Sequence, residues 1–154
     1  MISELVDSAT ILPGLEATTK GAALKELLQA ALAADVFPKK RAAGLKKKLT
    51  EREAMGSTGL GNGVAVPHFK HNDVEQSSVV VARAADGIEW QAIDGGPVTI
   101  MFLVMSPLTD PDSHLQCLRW ISTLARNRDF RRFFLDADDQ VQMRDLLREL
   151  LPKA

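Results

Sequence analysis

REAMGSTGLGNGVAVPHFKH, running from Arg52 to His71, is the stretch on which the reading of this chain turns. Gly56, Gly59, Gly61 and Gly63 fall within eight residues, with Ser57, Thr58 and Asn62 between them. The short apolar run Val64, Ala65, Val66 then leads to Pro67 and His68. Glycine accepts positive φ and close backbone approach, so such a segment can turn its N–H groups around something small and anionic. A histidine at the end of a strand beside that loop is a candidate reactive group.

Nucleotide-binding readings of the glycines fail on spacing. No Gly-Lys-Ser/Thr ending follows them, which a Walker A loop requires. Val66 stands where a dinucleotide fingerprint beginning at Gly61 and Gly63 needs glycine or alanine.

The run from Arg52 and Glu53 through Gly56–Gly63 to Pro67 and His68 resembles the active-site signature of the enzyme IIA domains of the bacterial phosphotransferase system, in the fructose, mannitol and nitrogen-regulatory group. Ile93, Asp94, Gly95, Gly96, Pro97 and Val98 ahead of an apolar strand, and His114 with Leu115 on a later helix, resemble family features in the same order, so the likeness spans most of the chain. The resemblance implies an α/β fold in one domain over residues 1–154, a mixed sheet of about five strands flanked by helices. It also implies a phosphocarrier: His68 accepts a phosphoryl group from an HPr-like carrier protein and passes it to a IIB domain or presents it as a signal to a regulatory target protein. No metal, nucleotide or other cofactor is implied at the site.

The chemistry suits the residue types. Neutral imidazole offers a lone pair at one nitrogen while the other donates a hydrogen bond, and an unperturbed pKa of about 6.5 leaves much of it neutral near pH 7. His68 is the expected acceptor. His114 is expected to orient it or to hydrogen-bond the bound group, and Arg52 to neutralise phosphoryl oxygens, because phosphoryl transfer depends on positioning and charge stabilisation. Ser57, Thr58, Gly61, Asn62 and Gly63 are expected to shape a phosphate loop beside His68. Phe69 departs from the family, which has a small residue there. Its ring is expected at the rim of the site, as a partner contact or as an obstruction. Were it an obstruction, the chain would be a non-transferring regulatory module that keeps the fold. A metal site is the other alternative: His68 and His71, and His114 and Cys117, are each three apart and form a set of tolerable zinc ligands.

Composition bounds the rest. With 154 residues, 45% hydrophobic and 25% charged, the chain reads as one globular domain. A net charge of -1 gives no global field for nucleic acid or an anionic membrane. The single cysteine, Cys117, excludes an internal disulfide and fits a reducing compartment. The first residues lack the basic and apolar regions of a signal peptide, and the longest apolar run, Ile100 to Met105, is too short to span a bilayer, so the expected location is the cytoplasm.

Outward from the motif, Ile11 and Leu12 suggest a brief strand. Leu24, Leu27, Leu28 and Ala31 mark a helix over 20–33, capped by Thr18 or Thr19. A second helix runs from Pro38 to about Thr50, its lysines read as a solvated face. Strands are expected at 78–83 and 99–105, with a turn at Asp86 and Gly87. Asp110 and Pro111 start a helix ending near Asn127, with His114 in its first turn and Leu115, Leu118, Ile121 and Leu124 as its buried stripe. Phe130, Phe133 and Phe134 are read as one apolar cluster on a short helix, followed by a final amphipathic helix from Val141 to Leu150.

Overall fold

The computed structural model describes residues 2–152. Its centre is an antiparallel pair, β5 (Ser78–Ile88) and β6 (Val98–Ser106), in which Val80 faces Leu103 and Ala82 faces Met101. β1 (Thr10–Leu12) adds in parallel to β5. On the far side of β6 lie β3 (Val64–Ala65) and β4 (His68–Lys70), both parallel to it, and β2 (Gly59–Gly61) completes a six-stranded mixed sheet antiparallel to β3. β3 and β4 follow one line along β6, broken at Pro67, which has no N–H to give a ladder; its carbonyl still accepts from Val104 N at 3.0 Å.

β6 is apolar on both faces because both are covered, as alternation along a central strand requires. Ile100, Phe102 and Val104 join Val79 and Val81 on one face, under α1 (Ile2–Ser8), α4 (Pro111–Arg126), α5 (Arg128–Asp136) and α6 (Gln140–Glu149). Met101, Leu103 and Met105 join Val80 and Ala82 on the other, under α2 (Lys20–Ala33) and α3 (Ala42–Met55). Thr19 caps α2, its hydroxyl accepting from Ala22 N at 3.3 Å, and Asp110 caps α4, accepting from Ser113 N at 3.2 Å. Among the described residues no helix is long and apolar enough to cross a membrane.

The mixed sheet flanked by helices is as expected, with six strands where about five were expected, because the glycine segment itself pairs as β2. Other expectations need correction. α1 has no counterpart in the sequence reading: only Leu5 and Val6 of this short helix are buried, too few to show a period. The turn at Asp86 and Gly87 is a bulge within β5, where the register shifts and Gly87 takes φ +78°. On α5 only Phe130 and Phe134, one turn apart with ring centroids 5.1 Å apart, are buried; Phe133 is 48% exposed. Leu115 on α4 likewise faces outward, and the buried stripe there is His114, Cys117, Trp120, Ile121, Leu124 and Ala125.

Candidate functional site

Strand alternation sets what β4 presents. His68 lies opposite Val104 and Lys70 opposite Ser106, so both point to the α4 side, while Phe69, opposite Met105, points into the core beneath α2 and α3. His68 lines a depression of about 330 Å³ with Phe69, Lys70, His114, Leu108 and Leu118, together with Lys48 and Arg52 of α3. The rings of His68 and His114 are 5.5 Å apart between centroids and tilted by 54°.

The orientation of His68 is fixed from behind. Its Nδ1 lies 2.7 Å from the carbonyl oxygen of Val66. A carbonyl only accepts, so Nδ1 carries the proton and Nε2 holds the lone pair. Burial lowers the pKa of His68 below the ordinary histidine value; the Val66 carbonyl opposes this, and the Arg52 and Lys70 cations assist it. His114 is 5% exposed, and burial, with the His68 and Lys70 charges, holds its pKa at about 4. Both imidazoles are therefore neutral near pH 7. Arg52, in the last turn of α3, donates from Nη1 to the carbonyl of Gly56 at 2.9 Å, closing its own helix and leaving the rest of the guanidinium beside His68.

Of the expected site residues, the structure gathers His68, His114 and Arg52. The five assigned to a phosphate loop do not line the depression. Gly61, Asn62 and Gly63 take successive positive φ values of 91°, 57° and 78° and form the turn between β2 and β3. The anion this backbone serves is the protein's own Asp94, whose carboxylate accepts from Gly96 N and Asn62 N, both at 3.0 Å; these N–H groups hold its pKa below the usual carboxylate value. The hydroxyl of Ser57 donates to the carbonyl of Trp90 at 2.9 Å. Thr58 is buried and gives both its backbone N–H and its hydroxyl to the carboxylate of Glu53, which also pairs with Lys20 Nζ at 2.7 Å. This network anchors the end of α3 to the start of β2, so the segment acts as scaffold behind the histidine.

Phe69 borders the depression but is 3% exposed, and its side chain packs into the α2 and α3 core rather than standing at the rim above His68. The zinc set is not assembled either. His71 turns to Asp73, its Nδ1 accepting from Asp73 N at 3.0 Å, and Cys117 is buried in the α4-side core, where desolvation raises its thiol pKa to about 12. Among the described residues no three His, Cys, Asp or Glu side chains are placed to hold a metal ion.

Sequence reasoning missed Lys48, Lys70, Leu108 and Leu118. Lys70 was legible as the residue two beyond His68 on one strand. Lys48 was hidden among the α3 lysines, one turn before Arg52, and the two leucines are brought in by tertiary packing alone.

Residues 4–150 match the family model described as "Phosphoenolpyruvate-dependent sugar phosphotransferase system, EIIA 2". The chain is 32% identical over 154 residues to the fructose-specific EIIA component of the phosphotransferase system of Haloferax volcanii, covering 96% of this chain and 99% of that relative. It superposes with a TM-score of 0.80 and 26% identity on the crystal structure of the nitrogen regulatory protein IIA-Ntr from Neisseria meningitidis, over 95% of this chain and 98% of that one. The fold also matches the mannitol enzyme IIA in its complex with phosphorylated mannitol enzyme IIB from Escherichia coli, with a TM-score of 0.76 at 15% identity over 91% and 94% of the two chains. The chain is thus a member of the EIIA type 2 family of the phosphoenolpyruvate-dependent sugar phosphotransferase system, a family of phosphoryl carriers.

Proposed function

We propose that Nε2 of His68 is the phosphoryl acceptor. The observation that carries this is the 2.7 Å contact from His68 Nδ1 to the Val66 carbonyl, which commits the proton to Nδ1 and leaves the Nε2 lone pair in a depression rimmed by cations. Transfer begins from a phosphohistidine on an HPr-like carrier protein. The phosphorus–nitrogen bond of the donor breaks, its electron pair returns to the donor nitrogen, and the Nε2 lone pair of His68 forms the new bond in line. The His68 ring takes on positive charge, and the hydrogen bond to Val66 strengthens as it does so. Arg52, Lys48 and Lys70 supply positive charge for the equatorial oxygens, and His114 supplies a hydrogen bond. Loss of the group to a IIB domain reverses these steps, with the thiolate of a IIB cysteine as the attacking atom.

Two further features support a protein as donor and acceptor. Leu108, at the edge of the depression, is 47% exposed and Leu115, on α4 one residue beyond His114, is 46% exposed, so apolar side chains flank the reacting group as a docking face requires. The mannitol IIA of like fold was captured with phosphorylated IIB. Transfer is favoured over a non-transferring module, a reading that rested on Phe69 closing the site, by the packing of that residue into the core at 3% exposure.

The test is incubation with phosphoenolpyruvate, enzyme I and HPr from the same source, followed by addition of a IIB domain. The expected result is an acid-labile adduct that His68→Ala abolishes, and its discharge onto the IIB cysteine. Normal labelling of a folded His68→Ala protein overturns the assignment.

A further inference from the structure

β6 is the most apolar strand of the chain, yet it ends in Ser106, which has no exposed surface. A hydroxyl buried there costs free energy unless it is bonded, and this one has two partners. Its Oγ lies 2.7 Å from Nδ1 of His114, and the hydroxyl of Ser77 donates to it at 3.1 Å. The antiparallel register that pairs Ser78 with Met105 brings Ser77 to this position at the end of β6. Among the described residues Ser106 Oγ has no other hydrogen-bond neighbour.

The direction of this chain decides what His114 can do. With Ser77 donating to Ser106, the remaining hydrogen of Ser106 has one acceptor within reach, the His114 Nδ1 lone pair. That head-to-tail arrangement satisfies every group and lets each bond polarise the next. Nδ1 is then the acceptor, and the N–H of the neutral ring sits at Nε2, the nitrogen not engaged by Ser106. The opposite tautomer would reverse both bonds, with Nδ1–H donating to Ser106 and Ser106 to Ser77, and would present a lone pair at Nε2, which repels phosphoryl oxygens and competes with His68 as a nucleophile.

We propose that Ser106, directed by Ser77, is a positioning residue that locks His114 in its Nε2–H tautomer, so that His114 donates to the phosphoryl group and does not accept it. This rests on His68 being the acceptor, but its first test does not. Long-range proton–nitrogen correlation spectra of the unphosphorylated protein report which nitrogen of His114 carries the proton. The expected result is a single Nε2–H form in the native chain and loss of that uniform state in Ser106→Ala. Ser77→Ala, which leaves Ser106 in place and alters only a half-buried side chain, is expected to fall between. An Nδ1–H form in the native protein overturns the proposal, as does an unchanged tautomer in Ser106→Ala.

The second test is the rate of phosphoryl transfer, expected to fall about tenfold in Ser106→Ala, less than the roughly 10²- to 10³-fold that loss of an oriented donor costs, because His114 stays in place and loses only its fixed tautomer. A tautomer change with no change in rate overturns the positioning role. If the native protein accepts no phosphoryl group at all, the acceptor reading of His68 fails, while the spectra still decide the tautomer.

Discussion

His68 Nδ1 donates to the carbonyl of Val66, two residues earlier, at 2.7 Å. The break at Pro67 lets this happen. Between β3 and β4 two residues, Val66 and Pro67, lie outside the strands, and the histidine ring folds back over the carbonyl of the first of them. The reactive nitrogen is therefore set by a local contact, and the long-range part of the site is the charge around it.

His114 should stabilise transfer without carrying the group. His114→Ala is expected to slow phosphorylation of His68 by about 10²-fold, the usual cost of removing one donor aimed at developing charge. Rapid-quench kinetics of labelling would show it; an unchanged rate would mean that the 5.5 Å approach of the two rings is packing only.

Acceptance should depend on pH through His68 itself. Its folded pKa lies below about 6.5, so the neutral form dominates at pH 7 and above, and the rate should be flat there and fall as pH drops through the lowered value. Stability follows the same sign. His114 titrates at about 4 when folded and near 6.5 when unfolded, so between these values the unfolded chain binds more protons. Unfolding free energy should therefore fall with decreasing pH across that window, by at most about 1.4 kcal/mol per pH unit from this residue. Urea denaturation at pH 7 and pH 5 measures it, and His114→Asn should flatten the dependence.

Phe69→Gly should act on the fold rather than on access to the site. Removing a ring that is 3% exposed leaves a cavity beneath α2 and α3, worth about 3–5 kcal/mol. Chemical denaturation should show that loss, whereas a stable variant with faster transfer would restore the ring to the rim.

Glu53→Ala should loosen the scaffold behind His68. It strips Thr58 of its acceptor and leaves Lys20 beside Trp90 without its partner. Breaking a fully buried pair costs about 3–5 kcal/mol; because Lys20 is 21% exposed, about 2 kcal/mol is expected here. A melting temperature equal to that of the native chain would contradict this.

How much was legible follows from the range of the forces involved. Helices α2, α4 and α6 and strands β5 and β6 carry strong local periods, and the Asp110 and Pro111 start of α4 is local chemistry, so sequence alone located them. His68, His114 and Arg52 were legible through the motif. The role of the glycine turn was not, because the Asn62 N–H at its centre is satisfied by Asp94, more than thirty residues further along the chain. Phe69 was misplaced because its adjacency to His68 suggested a shared surface, when residues adjacent on a strand point to opposite faces. Ser106 and Ser77 were invisible for a related reason: only the pairing of β5 with β6 brings them together.

The most direct test is to phosphorylate the protein through its carrier chain, map the adduct by tandem mass spectrometry, and determine by phosphorus and nitrogen NMR which ring nitrogen bears it. The account predicts a single adduct on His68 at Nε2, with Nδ1 still protonated. An adduct on His114 or His71, or attachment at Nδ1 of His68, would contradict it.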